Sequence, residues 1–195
     1  MFLGDPRKYY KHPKELDKMM TCLMEDYAEW KLKYHIDDVG VDVGKRYNTP
    51  KWNEHGMMTL PVIDARKVHP EASLGWERSM EQAFNIPGML DMCINFIRPG
   101  KMLPQHHDGY VWQWIRESFN DHSLTGYTVS FGIDIPEPEK QALVFDNVER
   151  VWNTGEFRAF NGETTVHYMK NEGDPESDNW RVTGVMEIEE SHWDV

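Results

Sequence analysis

Short stretches of alternating apolar and polar residues dominate the second half of this chain and restrict the folds open to it. The clearest runs from Tyr127 to Ile135, where every second residue is apolar or aromatic, as in a strand with one buried face. Pro136 follows and ends that strand. Further strands, separated by turn residues, are predicted at 92–98, 142–145, 157–160, 164–169 and 181–189. Regular short strands of this kind are typical of a β-sandwich or barrel.

The first ninety residues have a different pattern. Between residues 13 and 35 apolar side chains recur at spacings of three and four, which predicts an amphipathic helix packed on a sheet. A second, shorter helix is predicted from Gly75 to Phe84. Pro61 makes residues 58–65 an edge strand, and residues 37–56 predict an irregular connection. We therefore predict an α+β fold, with a double-stranded β-helix (jelly-roll, cupin-like) core and N-terminal helices packed outside.

The chain length fits one domain with a sizeable core, since it has 195 residues of which 39% are hydrophobic. We predict a single domain, residues 1–195, in which 1–91 form a helical and irregular part and 92–190 form the double-stranded β-helix core. Cys22 and Cys93 are the two cysteines, too few for a disulfide scaffold, and both are predicted to be reduced core thiols.

Charge and hydropathy bear on the possible partners. The formal net charge is −12, which argues against nucleic acid or an anionic membrane, because phosphate binding favours an excess of basic residues. No apolar run approaches the roughly 20 residues that cross a bilayer, and residues 1–8 do not resemble a signal peptide. The expected location is the cytoplasm.

His106 and Asp108 form an H-x-D pair, and His167 follows 61 positions after the first histidine. Residues i and i+2 of a strand face the same side, so His106 and Asp108 can bind one ion while His107 points away. Two histidines and one carboxylate are the ligand set of non-heme Fe(II) oxygenases, and this set leaves positions open for O₂ and a co-substrate. A hydrogen-bonded cluster without metal is the alternative for so short a motif.

Arg181 begins the last predicted strand, and Thr183 shares its face. A guanidinium pairs with a carboxylate through two parallel bonds, and a hydroxyl two residues on can add another. Both side chains are therefore predicted to hold a dicarboxylic co-substrate. The alternative is an exposed arginine that pairs with the acidic loop at 172–179.

The residues after the H-x-D pair are candidates for substrate contact. They are Tyr110, Trp112, Trp114 and Arg116. Aromatic side chains on a segment above a rigid β scaffold predict a lid, and Arg116 could pair with a substrate carboxylate. Aromatics that merely pack a short helix against the barrel, with a surface arginine, are an equally good interpretation.

The stretch from Met92 to Glu189 resembles the aspartyl/asparaginyl β-hydroxylase family of double-stranded β-helix oxygenases, including its bacterial proline-hydroxylase branch. The resemblance covers roughly half of the chain and depends on the order and spacing of several short pieces. These pieces are segments 96–106, 106–108, 132–136 and 152–157, followed by His167, Asn171 and Arg181.

The resemblance implies Fe(II) bound by His106, Asp108 and His167, and 2-oxoglutarate bound to Arg181 through its C5 carboxylate. Some family members have H-x-G in place of H-x-D and lack the carboxylate ligand. In that register His107 would be the histidine of the motif, and Asp108 would not bind the metal. We favour the first register because it supplies a third, anionic ligand at the right spacing.

Thr128 and Ser130 mark a departure from the family. They stand where members with an acidic-peptide substrate tend to have arginine and histidine. The resemblance therefore implies that these two residues face the co-substrate, and that the C1 end of 2-oxoglutarate or the substrate carboxylate is held differently here.

The predicted activity is that of an Fe(II)- and 2-oxoglutarate-dependent oxygenase, a dioxygenase that uses O₂ to hydroxylate a C–H bond and releases succinate and CO₂. The expected substrate is an amino acid, a peptide side chain or a related small molecule, with neither nucleic acid nor membrane as partner. One rival is another cupin-type metalloenzyme, which would not need Arg181. The other is a non-catalytic jelly-roll binding protein whose histidines are incidental.

Overall fold

The computed structural model describes residues 1–35, 52–69 and 75–195. In these residues eleven strands and three α-helices are found. The strands are β1 Phe2–Gly4, β2 Met57–Asp64, β3 Lys67–Val68, β4 Met89–Ile97, β5 Lys101–Met102, β6 Gly126–Asp134, β7 Leu143–Phe145, β8 Val148–Arg150, β9 Phe157–Phe160, β10 His167–Asn171 and β11 Arg181–Glu189. The helices are α1 Pro13–Trp30, α2 Glu77–Phe84 and α3 Gly109–Phe119, with short 3₁₀ turns at Pro6–Lys8, Trp52–His55 and Glu190–His192.

The strands form two antiparallel sheets. The large sheet has the order β1-β9-β6-β11-β4-β2-β3, and the small sheet has the order β5-β10-β7-β8. A core of apolar residues from both sheets and from α3 lies between them, including Leu143, Phe145 and Phe160. Two antiparallel sheets facing each other, with few helices, agree with the predicted cupin-like, jelly-roll class.

Helix α1 packs on the outer face of the large sheet. Leu16, Met19 and Leu23 are fully buried and share one core with the outward-facing residues of β6 and β11. A Cβ at Gly184 of β11 would lie 3.1 Å from Leu23 Cδ1, so the glycine permits this close approach. The helix begins at the predicted residue and ends at Trp30, five positions before the predicted end.

The predicted boundary between a helical and irregular part (1–91) and the β core (92–190) does not match the sheets, which include strands from both parts. Strands β1, β2 and β3 come from the first 91 residues, and all three pair within the large sheet. The signal for them was weak because β1 and β3 contain three and two residues, while β2 contains Pro61. Among the described strands, none pairs with the outer side of β2 at that proline, since β3 pairs with Ile63 and Asp64, which fits the edge position predicted for it.

In the second half of the chain the predicted strand bounds differ from the observed ones by up to three residues, and β5 and β8 were not predicted. Strands β9 and β11 have the predicted bounds, while β10 begins at His167 rather than at residue 164. The irregular connection predicted at 37–56 falls largely outside the described residues. Among the described helices, none combines the length and the apolarity that a membrane span requires.

Candidate metal centre

Two chain segments, one with His106 and Asp108 and the other with His167, bring the three side chains together at one end of the small sheet. His106 and His167 pair as an isolated antiparallel bridge, with N–O distances of 2.9 and 2.8 Å between their backbones. Asp108 immediately precedes α3, and its backbone N–H donates to the Gly162 carbonyl at 2.7 Å. The three side chains therefore rest on hydrogen-bonded backbone rather than on free loops.

The ligand atoms of these side chains all lie within 4.8 Å of one another. Asp108 Oδ1 lies 3.6 Å from His106 Nε2, and Asp108 Oδ2 lies 3.5 Å from His167 Nε2. Neighbouring ligands on an octahedral ion with bonds of about 2.1 Å are about 3 Å apart. A small contraction of the cluster would therefore place all three atoms on one metal ion.

The tautomers of both imidazoles favour metal binding. His106 Nδ1 lies 2.8 Å from the Pro104 carbonyl, and His167 Nδ1 lies 2.9 Å from the Thr165 carbonyl. A carbonyl only accepts, so each Nδ1 carries the proton and each Nε2 presents a lone pair to the cluster. Such second contacts fix the ring orientation of metal-bound histidines.

The electrostatics of the cluster also favour metal binding. Burial lowers the pKa of His106, and the nearby Asp108 carboxylate opposes this only in part. The ring is therefore held neutral, as a metal ligand must be. Two imidazole lone pairs and a carboxylate facing one another repel unless a cation lies between them, so the donor set fits a divalent metal.

His107, the alternative ligand, lies outside this cluster. Its side chain is exposed, and its Nδ1 accepts the backbone N–H of Gly109 at 3.2 Å. The structure thus brings together the three residues of the H-x-D register.

A cavity of about 650 Å³, including its open mouth, adjoins the cluster between the two sheets. Thr128 and Ser130, both predicted to face a co-substrate, line it. Its other walls come from the inner face of the large sheet, the small sheet and the start of α3, through residues that include Thr59, Asp91, Cys93, Asn95, Leu103, Tyr110, Leu143, Phe160, Met169 and Glu187.

Arg181 and Thr183 lie on the inner face of β11, next to this cavity but behind its lining. Arg181 is fully buried; its Nε donates to the Gln141 carbonyl at 3.1 Å, and its Nη1 lies 3.0 Å from Met169 Sδ. Its guanidinium also stacks on Trp152 at 4.8 Å. Among the described residues, neither Arg181 Nη2 nor Thr183 Oγ1 has a hydrogen-bond partner. Burial lowers the pKa of Arg181 to about 9, so the group is a buried cation at neutral pH.

The predicted substrate residues do not gather at the cavity. Tyr110 lines it, whereas Trp112 is fully buried between α3 and the sheets, and Trp114 lines a separate surface cavity. Arg116 forms a two-bond ion pair with Glu163, at 2.9 and 2.6 Å. Residues 109–119 form a packed helix, as the alternative interpretation of this segment predicted.

Sequence reasoning missed the polar residues of β2 and β4 that face the cavity, as well as Glu187 of β11. In β4, Asp91, Cys93 and Asn95 alternate with the apolar Met92 and Ile94. The alternation was visible, but treating 92–98 as one apolar stretch concealed it. A polar residue in every second position of a fully buried strand signals an internal cavity.

Comparison with known proteins gives structural similarity alone. No protein-family model matches the chain, and no curated protein matches it. A salicylate 1,2-dioxygenase from Pseudoaminobacter salicylatoxidans, as its gentisate adduct, superposes on 75% of this chain with a TM-score of 0.41 and 8% identity, and 28% of its own chain is covered. The cupin domain of an XRE family transcriptional regulator from Enterobacter cloacae superposes on 68% of this chain, and 96% of its own chain is covered, with a TM-score of 0.40 and 11% identity. The chain thus spans under a third of the dioxygenase, and likeness at this level carries no argument about activity.

Proposed function

We propose that the chain is an Fe(II)- and 2-oxoglutarate-dependent oxygenase that hydroxylates a C–H bond of an amino acid, a peptide side chain or a related small molecule. His106, Asp108 and His167 would hold the metal. When bound, Fe(II) with 2-oxoglutarate and O₂ supplies the oxidising power for C–H hydroxylation, with succinate and CO₂ as co-products. The resemblance of residues 92–189 to the aspartyl/asparaginyl β-hydroxylases supports this assignment.

The observation that carries the proposal is the pair of unsatisfied groups on β11. Arg181 Nη2 and Thr183 Oγ1 are both buried without a partner among the described residues. A buried guanidinium is costly unless an anion compensates it. The C5 carboxylate of 2-oxoglutarate would supply that anion, and the Thr183 hydroxyl would donate to the same oxygens.

The position of Arg181 relative to the metal ligands suits a short dicarboxylate. Arg181 contacts Met169, which is two residues after His167 on β10. Residues i and i+2 of a strand face one side and are about 7 Å apart. A five-carbon acid can span such a separation. Met169 stands between the guanidinium and the cavity, so it must change rotamer on binding, which its flexible side chain permits.

The roles of the surrounding residues follow from their chemistry. Because burial lowers the pKa of His106, its Nε2 presents a lone pair without prior proton loss. The Nδ1 contacts of both histidines keep the two rings oriented toward the cluster. The apolar walls contributed by Leu143 and Phe160 limit the access of water to the cavity. Exclusion of water strengthens every charged contact inside and protects reactive species from side reactions.

A second candidate is a metalloenzyme that does not use 2-oxoglutarate. The observation in its favour is that Arg181 is fully enclosed by Gln141, Met169 and Trp152 and is not part of the cavity lining. In that case the guanidinium would have a structural role, and the metal cluster would serve another reaction.

Binding measurements separate the two candidates. Under anaerobic conditions, calorimetry with Mn(II) and then 2-oxoglutarate should show one metal and one co-substrate per chain. We expect Asp108→Ala and His167→Ala to weaken Mn(II) binding by at least about 100-fold, since changes of mere supporting residues cost 10–100-fold. His107→Ala is the matched control and should bind Mn(II) as the wild type does. If His107→Ala loses Mn(II) binding and Asp108→Ala keeps it, the H-x-G register, in which His107 binds the metal and Asp108 does not, is favoured.

Arg181→Met tests the co-substrate. If the proposal is right, this variant binds Mn(II) normally but loses 2-oxoglutarate binding and succinate formation. If it binds 2-oxoglutarate as the wild type does, or if the wild type does not bind it, the second candidate is favoured. Absence of metal binding in the wild type would favour a non-catalytic jelly-roll protein.

A further inference from the structure

One row of polar side chains crosses the floor of the cavity at right angles to the strands. Asp91 of β4 is the direct cross-strand neighbour of Glu187 of β11, which in turn neighbours Thr128 of β6. All three side chains are buried and line the cavity. Directly opposed residues on one face of a sheet have Cβ atoms about 5 Å apart. Two carboxyl groups and a hydroxyl therefore form one continuous polar row.

The cavity lining is acidic in composition. Its lining contains Asp91, Glu187 and Asp108, and none of the described residues that line it is a lysine or an arginine. A cavity lined by carboxyl groups, with no basic side chain among the described lining residues, attracts a positively charged ligand group in preference to an anion.

Thr128 gives independent support for a ligand at this row. It is 1% exposed, and its Oγ1 has no hydrogen-bond partner among the described residues. A threonine hydroxyl offers two acceptor lone pairs, so it can receive an N–H group. In contrast, the Thr59 hydroxyl at the other side of the cavity donates to Asn95 Oδ1 at 2.7 Å. The Thr128 hydroxyl therefore has its hydrogen-bonding capacity unused at the acidic row, unlike the hydroxyl of Thr59.

The Thr128 end of the row adjoins the metal cluster. A Cβ at Gly162 would collide with the Thr128 hydroxyl and would lie 3.0 Å from Asp108 Oδ2. Gly162 therefore packs against both Thr128 of the row and Asp108 of the metal cluster. A group held at the row would lie next to the metal, where a neighbouring C–H bond could react.

We propose that Asp91, Glu187 and Thr128 form the subsite for a positively charged group of the substrate, a protonated amine or a guanidinium. The carboxyl groups neutralise the cation, and Thr128 accepts one of its N–H bonds. This assignment deepens the proposed function and rests on it for the oxidation step. It makes the substrate a basic amino acid or another small amine rather than an acid or a hydrocarbon.

Equilibrium binding tests the subsite without turnover. Calorimetry on the Mn(II)-loaded chain would compare L-lysine and L-arginine with L-norleucine, which lacks the cation, and L-glutamate. We expect at least one of the two basic amino acids to bind at least about tenfold more tightly than L-norleucine, as one charge-assisted bond implies. Glu187→Gln should weaken that binding by about tenfold or more, whereas the control Glu189→Gln, on the same strand but beside Arg66, should not.

Thr128→Val provides a variant whose folding is not at risk. Because its hydroxyl has no described partner, the valine should leave the melting temperature unchanged or raise it, yet weaken binding of the basic amino acid several-fold. Equal affinity for L-norleucine, tighter binding of L-glutamate, or unchanged lysine and arginine affinity in both variants would overturn the subsite. So would a second equivalent of Mn(II) that is lost in Glu187→Gln, which would make the row a metal site.

The subsite and the proposed function can fail separately. If the wild type does not bind 2-oxoglutarate but binds a basic amino acid selectively, the oxygenase proposal is wrong and the cation subsite stands. Normal 2-oxoglutarate binding without any preference for basic over neutral amino acids would do the reverse.

Discussion

The two faces of the large sheet are both buried, yet they differ in almost every chemical respect. On β11 the outward-facing residues Val182, Gly184, Met186 and Ile188 contact the core that α1 covers. The residues between them face inward, and they are Arg181, Thr183, Val185 and Glu187. Alternate positions of one strand thus lie in an apolar core and in a polar cavity.

This difference indicates that the outer face stabilises the fold and that the inner face is suited to binding a ligand. The outer face of β11 buries apolar side chains against the core under α1, so it contributes most to the free energy of folding. The inner face carries a buried guanidinium nitrogen and two buried hydroxyls that have no hydrogen-bond partner among the described residues, and each of these atoms costs stability. Buried polar atoms of this kind persist where a ligand completes them.

Substitution on the outer face should give the largest loss of stability. Phe131 is fully buried and makes an edge-on ring contact with Phe157 at 5.3 Å. We expect Phe131→Ala to lower the free energy of unfolding by about 3–5 kcal/mol, with the Mn(II) affinity of the folded chain unchanged. Urea denaturation and metal titration at low temperature measure the two quantities. A metal affinity that fell as steeply as the stability would show that the faces are not independent.

Gly162→Ala should disturb the inner face at its most crowded point. The added Cβ would meet the Thr128 hydroxyl and Asp108 Oδ2, which forces local shifts that cost about 1–3 kcal/mol. Because Asp108 must move, Mn(II) binding should weaken as well. Gly155→Ala is the control: its Cβ meets nothing within 4 Å, but its φ of +83° makes alanine strained. That variant should lose stability and keep its metal affinity.

The sequence predicted the outer face and the grouping of His106, Asp108 and His167 better than the polar residues of the cavity floor. The stripe of α1 and the alternation in β6 are local patterns, and so is the H-x-D pair. The joining of His106 to His167 through a backbone bridge is a long-range contact, and only their order along the chain indicated it. Strand bounds at β9 and β11 were predicted because turn residues flank them.

The acidic row could not be predicted, since it depends on register. Asp91, Thr128 and Glu187 become neighbours only through the pairing of β4, β11 and β6. A shift of one residue in either pairing would move a whole strand's polar set to the other face. A long-range contact also decides between the two interpretations of α3, because the ion pair of Arg116 is made with Glu163, which lies 47 positions away.

The charge of Arg181 allows a test by pH. Its pKa in the folded chain, about 9 through burial, is below the usual value, so the unfolded chain binds more protons from pH 9 upward. Wild-type stability should therefore rise relative to Arg181→Met as the pH increases through 9. At pH 8 we expect Arg181→Met to have a higher free energy of unfolding than the wild type, because it lacks the buried charge. One proton contributes up to about 1.4 kcal/mol per pH unit, so this stability advantage of the variant should shrink by about 1 kcal/mol between pH 8 and pH 10.

Urea denaturation of both proteins at the two pH values measures this difference, and the other titrating groups cancel in the comparison. Excess 2-oxoglutarate with Mn(II) at pH 8 should reduce the same advantage, because a carboxylate would neutralise the guanidinium in place of proton loss. An advantage that responds neither to pH nor to the dicarboxylate would mean that Arg181 is already compensated within the fold.

Thr183→Val should have the smallest effect on stability, and its sign is informative. The hydroxyl is fully buried without a described partner, so its removal should change the unfolding free energy by less than about 1 kcal/mol, in the stabilising direction, while 2-oxoglutarate affinity falls several-fold. Thr59→Val, also buried and on the same floor, loses a bond already made to Asn95 at 2.7 Å and should cost about 1–2 kcal/mol. Two threonines that respond with opposite signs would show that the unsatisfied hydroxyl is kept for a ligand, whereas equal destabilisation by both would mean that Thr183 serves the fold.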